Sequence, residues 1–71
     1  MHERLNNRLR DVRTAKGLTQ ADLAERAGVS RKTINTVENG VFVPSTILAL
    51  TLAKVLETRV EALFQLPDEQ P

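Results

Sequence analysis

Apolar residues return at helical spacing in five stretches of the chain, separated by short joints. Leu5, Leu9 and Val12 share one side of a first segment that Lys16 and Gly17 close, which predicts a helix over about Asn6 to Lys16. A second segment begins at Thr19, where Thr19-Gln20-Ala21-Asp22 has the form of a capping box with Asp in place of the usual Glu. Leu23, Ala24 and Ala27 make its inner face and Gly28 ends it. Ser30 caps a third segment whose buried side is Ile34 and Val37, and Asn39-Gly40 stops it. Pro44-Ser45 opens a fourth, in which Ile47, Leu48, Ala49, Leu50, Leu52, Ala53, Val55 and Leu56 surround nearly the whole circumference. In a small domain such a helix is either the central core helix or is partly turned toward another subunit. Val60, Leu63 and Phe64 give a short fifth segment, and Phe64-Gln65-Leu66 either belongs to it or runs on extended toward Pro67. The pattern is that of one all-α domain, a compact five-helix bundle over residues 1–66. Residues 67–71 are read as a loose polar tail.

Composition narrows what such a bundle can do. At 71 residues the core is small, so further stabilisation is expected from a disulfide, a metal or a partner chain. There is no cysteine, and the single histidine, His2, lies at the N-terminus, which leaves a second subunit. No cofactor or metal site is expected. The lack of Cys, Tyr and Trp, of a core histidine and of a phosphate-cradling glycine loop argues against an enzyme. Ser30 and Ser45 are accounted for as helix caps, so no catalytic residue is assigned. With Phe42 and Phe64 the only aromatics, stacking on single-stranded nucleic acid lacks its platforms. The longest apolar stretch, Ile47 to Leu56, is interrupted by Thr51 and Lys54 and is about half the length of a membrane span. No membrane partner is expected, and with no leader visible the expected location is the cytoplasm.

The most informative stretch is Gln20 to Asn39, QADLAERAGVSRKTINTVEN. Ala24 is small enough for the next helix to approach, Gly28 suits a turn with positive φ, and Val29 plugs the turn from inside. Leu23 and Ala27 anchor the first helix, Ile34 and Val37 the second. Together these are the requirements of a helix-turn-helix. At Leu18-Thr19-Gln20-Ala21-Asp22-Leu23-Ala24, Gly28-Val29-Ser30, Ile34, Val37-Glu38-Asn39-Gly40 and Pro44-Ser45, the chain resembles the Cro/repressor (Xre) family of regulators. The likeness continues through Leu50 and Ala53 to Val60-Glu61-Ala62-Leu63-Phe64. The resemblance implies a lambda-repressor-like bundle and a DNA-binding regulator, usually dimeric. It also implies that Gln20 and Asn39 contact backbone phosphates, Gln20 bracing the recognition helix as well, and that Arg13 and Glu38 form an internal ion pair. The chain departs from the family at Leu56-Glu57-Thr58-Arg59, where Gly or Asn near Glu57 and a capping residue near Arg59 are usual; Thr58 is the alternative cap.

At 100° per residue from Ser30 to Glu38, Ile34 and Val37 point inward, Lys32, Asn35 and Thr36 point outward, and Arg31 stands at the exposed N-terminal end. That end enters the major groove first in this docking mode, so Arg31, Lys32, Asn35 and Thr36 are the expected base readers. Thr19 and Gln20 open the preceding helix, where free N–H groups favour a phosphate. Arg4, Arg8 and Arg10 either add phosphate attraction or form a solvated charged face; Lys54 and Arg59 are read as surface charges. A net charge of +1 is small for nonspecific DNA packaging and favours sequence-specific reading of double-stranded DNA. The expected function is a repressor that binds a palindromic operator as a homodimer, with Leu52, Leu56, Leu63, Phe64 and Leu66 at the dimer interface. The alternative to that dimer is a monomer whose fifth segment covers the fourth helix. Val41, Phe42 and Val43 lie either at a dimer contact near DNA or toward the minor groove. The rival function is an antitoxin or another regulator that uses the same fold to bind a protein.

Overall fold

The computed structural model of the protein describes residues 5–67. His2, Arg4 and most of the expected tail lie outside the described residues. Five helices and one two-stranded ladder follow in the order β1 (Asn6–Asn7), α1 (Leu9–Ala15), α2 (Gln20–Ala27), α3 (Arg31–Glu38), α4 (Thr46–Val55), α5 (Val60–Leu63) and β2 (Phe64–Gln65). The strands are antiparallel, with Asn6 opposite Gln65 and Asn7 opposite Phe64. Arg8 N–H continues the clasp by donating to the Leu63 carbonyl at 2.8 Å.

This clasp shortens the first helix relative to the expected Asn6 to Lys16. Asn6 and Asn7 give their backbone to β2, and Asn7 Oδ1 accepts from Leu9 N–H at 3.0 Å, so the helix starts at Leu9. The Asn7 amide also donates to the Val37 carbonyl, which ties the clasp to the end of α3.

The next three helices begin where side-chain oxygens satisfy otherwise unpaired first-turn N–H groups. Thr19 Oγ1 accepts from Asp22 N–H at 2.9 Å while Asp22 Oδ2 accepts from Thr19 N–H at 3.0 Å, a complete capping box. Ser30 caps α3 through Thr33 N–H and Ser45 caps α4 through Leu48 N–H, both at 3.1 Å. Thr58 does not cap α5; Arg59 occupies the cap position and makes no side-chain capping bond.

The core draws on every helix: Leu9, Leu23, Ala24, Ile34, Val37, Leu48, Leu52, Ala53, Leu56 and Leu63 are all buried. Burying a side chain such as Leu23 or Ile34 contributes roughly 1.5–3 kcal/mol. Leu52, Leu56 and Leu63, expected to face a second subunit, are 0%, 1% and 0% exposed within one chain. They are corrected to core residues: helical periodicity marks a position as covered without saying by which chain. α4 does carry an uncovered apolar side, but it consists of Ile47 and Leu50, at 78% and 55% exposure. Leu66 is 78% exposed and Phe64 is half-buried against the core.

Candidate nucleic-acid interface

α2 and α3 pack closely against each other, and the turn between them decides which side of α3 is free. Gly28 ends α2 in the left-handed region, with φ 75°, and Val29 N–H reaches back to the Ala24 carbonyl at 3.0 Å. Ile34 and Val37 are then fully buried, while Arg31, Lys32 and Asn35 are exposed and Thr36 is half-exposed. The Thr36 hydroxyl donates its hydrogen to the Thr33 carbonyl at 2.9 Å, which leaves the methyl and the oxygen's acceptor capacity for a partner. Arg31, Lys32 and Asn35 line one shallow depression together with Gln20 of α2. Three of the four residues expected to read bases therefore lie together beside Gln20, one of those expected to meet a phosphate, and Thr36 borders a neighbouring hollow that Lys32 shares.

Behind this face sits a buried carboxylate. The Glu38 side chain is 0% exposed, and Arg13, at 11%, donates from Nε to Glu38 Oε2 at 2.6 Å. Arg13 Nη2 and Arg10 Nε each donate to Oε1 at 3.3 Å, and Gln20 Nε2 donates to the same oxygen at 3.1 Å. Arg13 Nη1 meanwhile holds the Leu18 carbonyl at 2.7 Å. The network joins α1, the start of α2 and the end of α3, and it fixes the angle at which α3 is presented. Burial by itself raises the Glu38 carboxyl, but hydrogen bonds from Arg13, Gln20 and Arg10 and the charge of Arg13 outweigh it, and the net shift is downward. Asp22 is also held below the ordinary carboxylate range, by the backbone N–H and then the side chain of Thr19.

Two expected phosphate contacts are partly committed within the chain. Thr19 Oγ1 accepts from Asp22 N–H in the capping box, which leaves the N–H groups of Gln20 and Ala21 as the first-turn donors of α2 that the box does not satisfy. Asn39 accepts from Arg10 Nη2 at 2.8 Å and donates from Nδ2 to Asn35 Oδ1 at 3.1 Å. The sequence offers Arg10 as a phosphate attractor or as part of a solvated charged face, and neither reading contains this link. Its signal was faint, because Arg8 and Arg10 look alike along the chain. The Asn7 tie to α3 was missed as well. Val41, Phe42 and Val43 are exposed, and Val41 and Phe42 border a shallow hollow with Lys32, Thr33 and Thr36. Among the described residues no three His, Cys, Asp or Glu side chains are grouped to hold a metal, and no helix is long and apolar enough to cross a membrane.

Known proteins are similar to this chain in sequence and in fold. The helix-turn-helix family model matches residues 9–63. An uncharacterized HTH-type transcriptional regulator of Archaeoglobus fulgidus is 41% identical over 66 residues, covering 93% of this chain and 94% of that protein. One of Methanocaldococcus jannaschii is 39% identical over 66 residues, covering 93% of this chain and 100% of that protein. Among solved structures, the restriction-modification controller protein C.AhdI from Aeromonas hydrophila superposes with a TM-score of 0.74 at 41% identity, over 76% of this chain and 82% of that one. The clp gene regulator ClgR from Corynebacterium glutamicum superposes with a TM-score of 0.73 at 31% identity, over 76% of this chain and 57% of that one. With the fold, the free face of α3 and the family match in agreement, the chain belongs to the helix-turn-helix family of Cro/Xre type and is a DNA-binding transcriptional regulator, not an enzyme.

Proposed function

We propose that the protein is a repressor that reads a palindromic operator as a homodimer, with residues 30–38 of each copy in the major groove. The observation that carries this reading is the division of α3: Ile34 and Val37 hold it to the core while Arg31, Lys32 and Asn35 stand free. Arg31 and Lys32 can donate to guanine O6 and N7, Asn35 can pair with adenine, and the Thr36 methyl can meet a thymine methyl. The N-terminus of α2 at Thr19 and Gln20 supplies the phosphate contact that sets register. One α3 spans only a few base pairs, and a dimer places two about one DNA turn apart, ~34–36 Å. Ile47, Leu50 and Leu66 are exposed apolar side chains available for that pairing, as are Val41, Phe42 and Val43, and Phe64 is half-buried.

Gel-shift titrations on a selected operator and on random DNA test the reading. Lys32→Ala and Asn35→Ala should weaken operator binding at least tenfold, about 1.4 kcal/mol, with little change on random DNA and unchanged helicity. Equal losses on both DNAs would reject base reading. Gln20→Ala should weaken both DNAs alike. Sedimentation of the free protein that shows only monomer at every concentration, with a single copy bound per operator, would reject the homodimer.

A further inference from the structure

We infer that Arg10 and Asn39 form a positioning relay that fixes the amide orientation of Asn35 and so sets the base preference at the position Asn35 reads. The inference rests on the base-reading role proposed for Asn35. An asparagine amide has two orientations of nearly equal shape, with oxygen and nitrogen exchanged, and a partner must choose between them. Here the choice starts at a group that can only donate. The Arg10 guanidinium has no acceptor, so Asn39 turns Oδ1 to Arg10 Nη2, at 2.8 Å. That leaves Asn39 Nδ2 to donate to Asn35 Oδ1, at 3.1 Å. Asn35 consequently turns its oxygen toward Asn39, and its Nδ2 is the atom left for a partner outside the chain.

The start of the relay is anchored in the chain, although the Arg10 side chain is itself 56% exposed. Arg10 Nε is held by Glu38 Oε1, and the Glu38 side chain is itself buried and gripped by Arg13 and Gln20. The chain of bonds thus runs from a buried carboxylate, through α1, to an exposed side chain on α3. Ordering Asn35 in the free protein removes part of the entropy otherwise lost on binding. With one lone pair of its oxygen taken by Asn39, Asn35 presents Nδ2 at a fixed side, and the base edge that suits it carries an acceptor there: purine N7, with guanine O6 beside it or with adenine N6 donating to the remaining lone pair. Released from the relay, the amide takes either orientation and accepts from cytosine N4 as readily as it donates to purine N7, so the preference for a purine falls.

The test is a binding profile over operators varied one base pair at a time, for the wild type, Arg10→Met, Asn35→Ala and the double variant. Asn35→Ala maps the position concerned, where the wild type should prefer a purine. Arg10→Met should lower that preference by roughly fivefold and leave the other positions unchanged. Adding Arg10→Met to Asn35→Ala should change nothing further there. In the free protein, nitrogen-15 relaxation of the side-chain amides should show Asn39 and Asn35 both more mobile in Arg10→Met. An Asn35 amide of unchanged mobility would overturn the relay even if Asn35 reads a base. A mobilised amide with no position that depends on Asn35 would instead overturn the base-reading role, and the specificity claim with it. Uniform weakening at all positions, with the salt slope reduced by about one, would make Arg10 a phosphate contact and overturn the proposal.

Discussion

The joint between α2 and α3 and the joint between α4 and α5 make the same backbone turn from different residues. After α2, Val29 N–H bonds to Ala24 and Gly28 N–H to Glu25; after α4, Thr58 N–H bonds to Ala53 at 2.9 Å and Glu57 N–H to Lys54 at 3.1 Å. Both need one residue in the left-handed region. The first joint has Gly28 there, with φ 75°, and the second has Glu57, with φ 56°, the one non-glycine residue so placed among the described residues. The first joint is followed by a capped helix and the second by an uncapped one. The two helices that flank the first are also tied at their far ends, Gln20 and Glu38, by a buried ion network; beside the second lies only an Arg59–Glu61 contact of 3.7 Å between side chains 85% and 70% exposed. Local order is concentrated where the recognition helix must be held, and the other joint tolerates strain because the bulk of α4 and Leu63 carries it by burial.

The largest effect should come from the ion network. Arg13→Met strips one partner from a buried carboxylate and should cost about 3 kcal/mol in urea melts, with Arg10 and Gln20 still limiting the damage. Arg59→Met, which breaks only an exposed contact, should have no measurable effect. Comparable losses for both would erase the contrast. The same network predicts acid sensitivity. The folded-state pKa of Glu38 is depressed, so its stabilisation is fully present above the ordinary carboxylate pKa and is lost as pH falls through the lowered value. Glu38→Gln should flatten that part of the acid limb of stability against pH. A limb unchanged in this variant would assign it to other carboxylates.

Exchanging the turn residues should move stability in opposite directions. A Cβ added at Gly28 meets nothing within 4 Å, so Gly28→Ala tests backbone conformation alone. A left-handed non-glycine residue costs ~1–2 kcal/mol, and the loss of glycine freedom in the unfolded chain returns roughly 0.4–1. Gly28→Ala should therefore destabilise by about 1 kcal/mol, and Glu57→Gly should stabilise by about 0.5–1 kcal/mol. Thermal melts of the two variants check this, and a destabilised Glu57→Gly would show that the Glu57 side chain contributes more than its backbone strain.

The contrast also explains what could be read from the chain. α2, α3 and α4 begin where Thr19, Ser30 and Ser45 announce them, because caps and glycine stops are local chemistry with short reach. The exposed face of α3 followed from periodicity once Ile34 and Val37 were placed inside. The extended alternative for Phe64-Gln65-Leu66 is the one the structure adopts at Phe64–Gln65, but its partner β1 is two residues long, shorter than any periodic signal, and the pair forms only because Asn6–Asn7 and Phe64–Gln65 meet across the chain. Leu52, Leu56 and Leu63 were read as an interface because hydropathy reports burial but not the partner. The Arg10–Asn39–Asn35 chain was invisible for a related reason: a residue's neighbour 29 positions away is a property of packing. The departure at Glu57 was legible as a missing signal, but its outcome, a left-handed glutamate, required the fold.

The smallest measurable effect is expected at the start of α5. Arg59 already has the extended backbone of a cap residue, with φ −88° and ψ 149°, so a capping side chain needs no backbone change. Arg59→Ser places a hydroxyl where it can accept from a first-turn N–H, and it gives up only the exposed contact to Glu61. A cap of this kind is typically worth ~1 kcal/mol, but α5 is one turn long and is held mainly by buried Leu63, so a gain of about 0.5 kcal/mol is expected. Amide hydrogen exchange is the sharper measurement. Protection should rise at Glu61 and Ala62 while α2 and α3 are unaffected, because the two joints share no cap, ion pair or turn residue. A rise that spread to α3 would mean that the clasp of β2 on β1, through the bond of Asn7 to Val37, couples them, and the two joints would have to be treated as one unit.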